Sequence, residues 1–177
     1  MRALAAALLA LLVATARAEP VRTEAAGLRF AHPSEWTRVP APSDMRAAQF
    51  RIAKADADAE DAEVVLFFFG KGQGGSAQDN LDRWRGQMGE GASAKDAGTV
   101  TIKTIHGVKV TSLDVSGTYK PMARGGDATP HSGYRLLAAV IEGEGGPWFL
   151  RLVGPEATVK AAKPGFDATL ESVEAHP

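Results

Sequence analysis

Along most of this chain the apolar residues fall in short, loosely alternating runs that read as strands, and in two places they switch to helical spacing. Gly27-Leu28-Arg29-Phe30 opens a strand, Pro33-Ser34-Glu35-Trp36 turns it, and Trp36 to Val39 begins the next. Pro40 to Ser43 reads as a turn and Met45 to Ile52 as a strand ending on Phe50 and Ile52. Lys54 to Asp61, rich in Ala and Asp, reads as a solvated loop. Val64-Val65-Leu66-Phe67-Phe68-Phe69 has no polar position. That run predicts a central strand covered on both faces, with Phe67 in the core.

Helical spacing first arises after Ser76. Ala77, Leu81, Trp84 and Met88 share one face, and Ser76 with Asp79 resembles a capping box with Asp in place of Glu. Thr99 to Ile105, His106-Gly107 and Val108 to Tyr119 predict a hairpin. Tyr134 to Ile141 and Trp148 to Val153 predict a second one, and Lys120 to Gly133 between them reads as a mobile excursion. Gly154-Pro155 leads into a closing helix whose inner face carries Val159, Ala162, Phe166, Leu170 and Val173. Pro164 inside that pattern predicts a kink or the helix's true start. The order is four strands, a helix, four strands, a helix. Tight turns make neighbouring strands antiparallel. The expected fold is therefore α+β: a largely antiparallel sheet of about eight strands flanked by two helices, in one domain over 27–174.

The first residues belong to a different pattern. Met1 and Arg2 form a positive n-region, Ala3 to Val13 is unbroken apolar sequence, and Ala16-Arg17-Ala18 is a small-x-small site. These are the parts of a secretory signal peptide over 1–18. The apolar run falls short of the roughly 20 residues that span a bilayer, and no stop-transfer pattern follows it. Export to the periplasm or medium is expected, with no stable membrane insertion after cleavage. Residues 19–26 then read as a leader and 175–177 as a tail.

Composition narrows the chemistry. The chain has no cysteine, which excludes disulfides, thiolate zinc sites and cysteine nucleophiles. The formal net charge is −1, with two of the 20 basic residues inside the leading segment. Such a balance gives no long-range attraction for nucleic acid.

Gly70-Lys71-Gly72-Gln73-Gly74-Gly75 matches G-x-G-x-x-G between a strand and a helix. A dinucleotide site would also need a parallel βαβ unit and an acidic residue closing its second strand. Asp96 has the spacing, but it lies in a polar stretch followed by a hairpin. Two readings stay open. The glycines permit a sharp turn, or Gly70, Lys71, Gly72, Gly74, Gly75 and Ser76 offer N–H groups and a cation to a small anion. Asp56, Asp58, Glu60 and Asp61 begin like a calcium loop, yet the twelfth place is Phe67, which cannot ligate. A weak surface calcium site and a solvated loop are the alternatives. The four histidines, His32, His106, His131 and His176, have no metal-ligand spacing, and no nucleophile–base set can be assembled. No catalytic residue, metal or cofactor is assigned. Trp36, Trp84 and Trp148 either anchor the core or line a ligand groove.

Phe30-x-x-Pro33-x-x-Trp36 at the first turn, the Val64 to Phe69 strand, the two hairpins and the closing helix with Phe166 and Leu170 together resemble the PsbP-like superfamily. The resemblance spans Gly27 to Val173. It implies an antiparallel sheet flanked by helices, the fold shared by an extrinsic protein of photosystem II and a Ran-binding nuclear-import factor. It further implies a binding or assembly role rather than catalysis, and no family site residue maps onto this chain. Asn80 and Trp84 after the glycine-rich loop are also similar to an Asn-x-x-x-Trp helix in uncharacterised exported bacterial proteins. The functional expectation is a non-enzymatic exported domain for an unknown protein partner, alternatively a binder of a small ligand or anion at loop 70–76, and third an enzyme of unknown type whose groups are assembled only by tertiary contacts.

Overall fold

A computed structural model of the chain describes residues 18–89, 97–121 and 129–176. Nearly all of the predicted signal peptide, Asp96 and the centre of the Lys120 to Gly133 excursion lie outside these residues.

The expected leader is a strand. Val21–Ala25 (β1) pairs antiparallel with Leu28–His32 (β2). Ala26 and Gly27 between them both have positive φ, 50° and 76°, the pattern of a two-residue turn that matches strand twist. The expected tail also pairs: Glu174–Ala175 (β10) adds to the other edge of β2. These three strands form a small sheet of their own.

The large sheet has seven strands. Thr37–Arg38 (β3), Arg46–Ile52 (β4) and Ala62–Phe68 (β5) come first. Thr99–Ile105 (β6), Val108–Tyr119 (β7), His131–Glu142 (β8) and Trp148–Pro155 (β9) follow. Their spatial order is β3-β4-β5-β9-β8-β7-β6, and every pairing is antiparallel. The described strands thus number ten in two sheets, against about eight expected in one. The difference comes from the chain ends, whose polar sequence gave no strand signal.

Ala77–Gln87 (α1) and Glu156–Glu171 (α2) cover opposite faces of the large sheet. Under α2 lie Phe50, Val64, Leu66, Leu150 and Leu152, with Val159, Phe166 and Leu170 packed down from the helix. On the other face Leu113, Val115, Leu136, Ala138, Val140 and Phe149 meet Leu81, Trp84 and Met88 of α1. α2 starts at Glu156 and runs through Pro164 without ending there, so the proline does not mark its start. The three tryptophans are all buried core residues.

The Val64 to Phe69 run is covered on both faces only in its first half. Val64, Val65 and Leu66 are buried, Phe67 and Phe68 are half-buried, and Phe69 is 38% exposed. The cause is the placement of α1, which packs mainly on β7 and β8, so that no described helix covers the β4–β5 half of its face. Phe67 points into that open half, so it is not the central core residue that the sequence predicts.

Candidate functional site

The glycine-rich loop turns sharply. Gly70, Gly72, Gly74 and Gly75 all have positive φ, and a Cβ at Gly74 would lie 2.5 Å from the Phe149 ring. The loop is tied back by bonds from the Gly72 amide to the Gly146 carbonyl and from the Asn80 side chain to the Gly74 carbonyl. Ser76 caps α1 reciprocally with Asp79. The Asp79 amide donates to the Ser76 hydroxyl at 3.1 Å, and the Asp79 carboxylate accepts from the Ser76 amide and hydroxyl at 3.2 and 2.6 Å. Those bonds hold the Asp79 carboxyl below its usual range. The helix N-terminus therefore already holds a carboxylate. Lys71 is exposed at the outer side of the loop.

The acidic loop is likewise occupied within the fold. Asp58 accepts from the Thr158 amide at the start of α2, Asp61 pairs with Arg51 at 2.9 Å, and Glu60 accepts from the Tyr134 hydroxyl at 2.9 Å. Among the described residues no group of three or more acidic or histidine side chains could hold a metal ion. His32 is buried among Phe30, Trp36 and Phe50, with bonds to the Pro33 carbonyl and the Thr23 hydroxyl, which makes it part of the core.

The arrangement that the sequence did not indicate is the open half of the α1 face. Alternation along β4, β5 and β9 brings Arg46, Gln49, Glu63, Phe67 and Arg151 onto it, because Gln49 stands opposite Val65, and Val65 opposite Arg151. Phe67 is the floor. Arg46 lies over its ring at 5.5 Å and Arg151 at 5.9 Å. Phe69 stacks beside it with ring centroids 6.2 Å apart and leads into the glycine-rich loop. Glu63 accepts from Arg46 at 2.8 Å and from Gln49 at 2.6 Å, so one arginine is neutralised in place.

Arg151 is treated differently. Its only acceptor among the described residues is the Tyr119 hydroxyl, at 3.3 Å, and its Nε is buried with no partner. Arg83 reaches toward the same region from α1 and donates to the Asn80 side-chain oxygen. Partial desolvation, and then the charge of Arg151, lower the Arg83 pKa from its ordinary value, with the Asp79 carboxylate opposing them weakly. Two guanidinium groups thus share one neighbourhood with no acid paired to either among the described residues. Such a face can bind an anionic group and stack an aromatic or planar one. The hidden signal was the period-two phase of Arg46, Phe67 and Arg151, which only the strand pairing reveals.

Neither a protein-family model nor a curated protein sequence matches the chain. Among solved structures the chain is similar to cyanobacterial PsbP (CyanoP) from Synechocystis sp. PCC 6803, with a TM-score of 0.54 and 17% identity over 95% of this chain and 99% of that one. It is also similar to a protein of unknown function from Pseudomonas aeruginosa, with a TM-score of 0.48 and 14% identity over 90% of this chain and 99% of that one. A Bacteroides thetaiotaomicron VPI-5482 protein matches with a TM-score of 0.46 and 11% identity over 91% of this chain and 49% of that one. The likeness to the cyanobacterial protein shows the PsbP-like fold, an α+β sandwich, as the resemblance implied. No described helix is long and apolar enough to cross a membrane.

Proposed function

We propose that the chain is an exported, non-enzymatic binding domain, released by cleavage after Ala18, whose working surface is the open half of the α1 face. The observation that carries this reading is Arg83 and Arg151, with no acid paired to either among the described residues, next to the Phe67 ring on which the exposed Phe69 stacks. A sheet face left without its helix is normally filled with apolar side chains or covered. Here it is lined by donors fixed in position. The groups on this face suit binding better than proton transfer, because its carboxylate, Glu63, is tied to Arg46 and Gln49. The glycine-rich loop forms the rim of the same surface: Gly74 lies against Phe149 and Phe69, and Asn80 anchors it to α1.

The reading is tested in an exporting bacterial host. N-terminal sequencing of the exported protein should begin at Glu19. A photo-crosslinking residue at Phe69 should give a discrete adduct, whereas one at Lys160, exposed on α2, should not. Equal crosslinking from both positions, or none from Phe69, removes this surface as the binding face.

A further inference from the structure

We propose that Arg151, Arg83 and the Tyr119 hydroxyl form a site for one oxyanion group, a carboxylate or a phosphate. The inference rests on the binding reading above and names the chemistry of what that face takes.

Arg151 rises from the middle of β9, between Val65 on β5 and Ala138 on β8. Both neighbours are buried and neither offers a polar atom from its side chain. An arginine carries five N–H donors in a rigid fork. Among the described residues this one has a single long bond, to Tyr119, and a shielded Nε with no acceptor. Leaving buried donors unpaired is unfavourable. Arg29, Arg46, Arg51, Arg85 and Arg135, by contrast, each have a carboxylate within 3.2 Å.

Arg83 adds a second positive charge to the same place. Its only side-chain acceptor among the described residues is Asn80, itself fixed by bonds to the Gly74 and Ser76 carbonyls. Asn80 accepts from a terminal guanidinium nitrogen of Arg83, and only the more distant charge of Asp79 offsets that of Arg83, with no ion pair to it among the described residues. Like charges brought together in a partly desolvated setting repel, and an anion between them removes the repulsion. Tyr119 accepts from Arg151 and so keeps its own hydroxyl proton to donate. Its ring is held by stacking on Tyr134, with centroids 6.0 Å apart. The Arg151 fork, the phenol bonded to it and the neighbouring Arg83 charge suit the oxygens of a carboxylate or phosphate. Stacked Phe67 and Phe69 extend the surface toward the loop, where the apolar part of a ligand carrying that oxyanion would lie.

The test is titration of the exported, processed chain with inorganic phosphate and, separately, with acetate, following the arginine Nε–H signals by NMR. The Arg151 signal should shift saturably with at least one probe, with a Kd below about 10 mM, and weaken as salt rises. The probe that binds tighter identifies the oxyanion class. R83Q, on an exposed helical position, and R151Q should each weaken binding at least about tenfold, while K160A, on the opposite face in α2, leaves it unchanged. R151K, which keeps charge but loses the fork, should bind more weakly than the parent. Flat titrations with both probes, or affinity unaltered in R83Q, overturn the site. Crosslinking from Phe69 alongside flat titrations would sink the oxyanion assignment alone and leave the binding reading standing.

Discussion

The carboxylate of Asp58 caps α2 across 100 residues of sequence, accepting from the Thr158 amide at 2.8 Å and the Thr158 hydroxyl at 2.5 Å. The helix has no cap of its own, because Pro155 stands at its N-cap position. The same hydroxyl accepts from the Ala55 amide at 2.9 Å, so the acidic loop and the helix start form one unit. Asp58→Ala should destabilise the fold by about 1–2 kcal/mol, and Asp58→Asn by less, since Asn caps nearly as well. Urea unfolding reads the difference. Equal stability of Asp58→Ala and the parent would show that the cap contributes nothing.

Gly74 and Gly72 separate two reasons for glycine. Both have positive φ, but a Cβ at Gly72 meets nothing within 4 Å, whereas at Gly74 it meets Phe149. Gly72→Ala should cost about 1 kcal/mol from backbone conformation alone. Gly74→Ala should cost about 2–4 kcal/mol, because overpacking against the ring adds to the same strain. Thermal denaturation of the two variants checks this, and equal losses would refute the ring contact.

The half-open sheet face makes Leu66 and Phe67 unequal. Leu66→Ala should cost about 2–5 kcal/mol, the range for a fully buried side chain. Phe67→Ala should cost less than Leu66→Ala despite the larger ring, because one side of Phe67 meets guanidinium groups and solvent. Chemical denaturation of the pair decides it, and a greater loss at Phe67 would place it back in the core.

Burial, and then the Glu60 carboxylate to which its hydroxyl donates, push Tyr134 up to about 12. An unfolded tyrosine ionises near 10. The folded chain therefore holds this proton more tightly, and the associated stability is complete below about pH 10 and lost as pH rises through 12. Only two tyrosines are present, so tyrosinate absorbance of the parent minus that of Tyr134→Phe isolates the group. A midpoint near 10 would contradict both the partial burial and the Glu60 bond.

The large elements were legible because their patterns are strong. The hairpin at His106-Gly107, the Ser76 cap and the apolar faces of both helices all follow from local sequence. β1 and β10 were not, because Val21-Arg22-Thr23-Glu24-Ala25 is mostly polar and carries no apolar alternation. The arginine face escaped for a related reason. Arg46, Phe67 and Arg151 lie on three strands, and their shared face depends on pairing registers that no local pattern encodes. The glycine-rich loop was conspicuous in sequence, but most of its glycine content is explained by turn geometry and the Phe149 ring.

The small sheet bears on how the chain folds. Glu174 and Ala175 pair with Arg29 and Leu28, and the His176 amide donates to the Gly27 carbonyl. These contacts join the last residues of the described chain to its first strands, and β5 likewise waits for β9 before it has a partner on its inner edge. Contacts this distant in sequence raise the contact order and slow the search for the native state. During synthesis, β9 must leave the ribosome before the large sheet can close, and β10 before the small one is complete. The topology thus delays completion of both sheets until late in the chain, after the local hairpins have emerged.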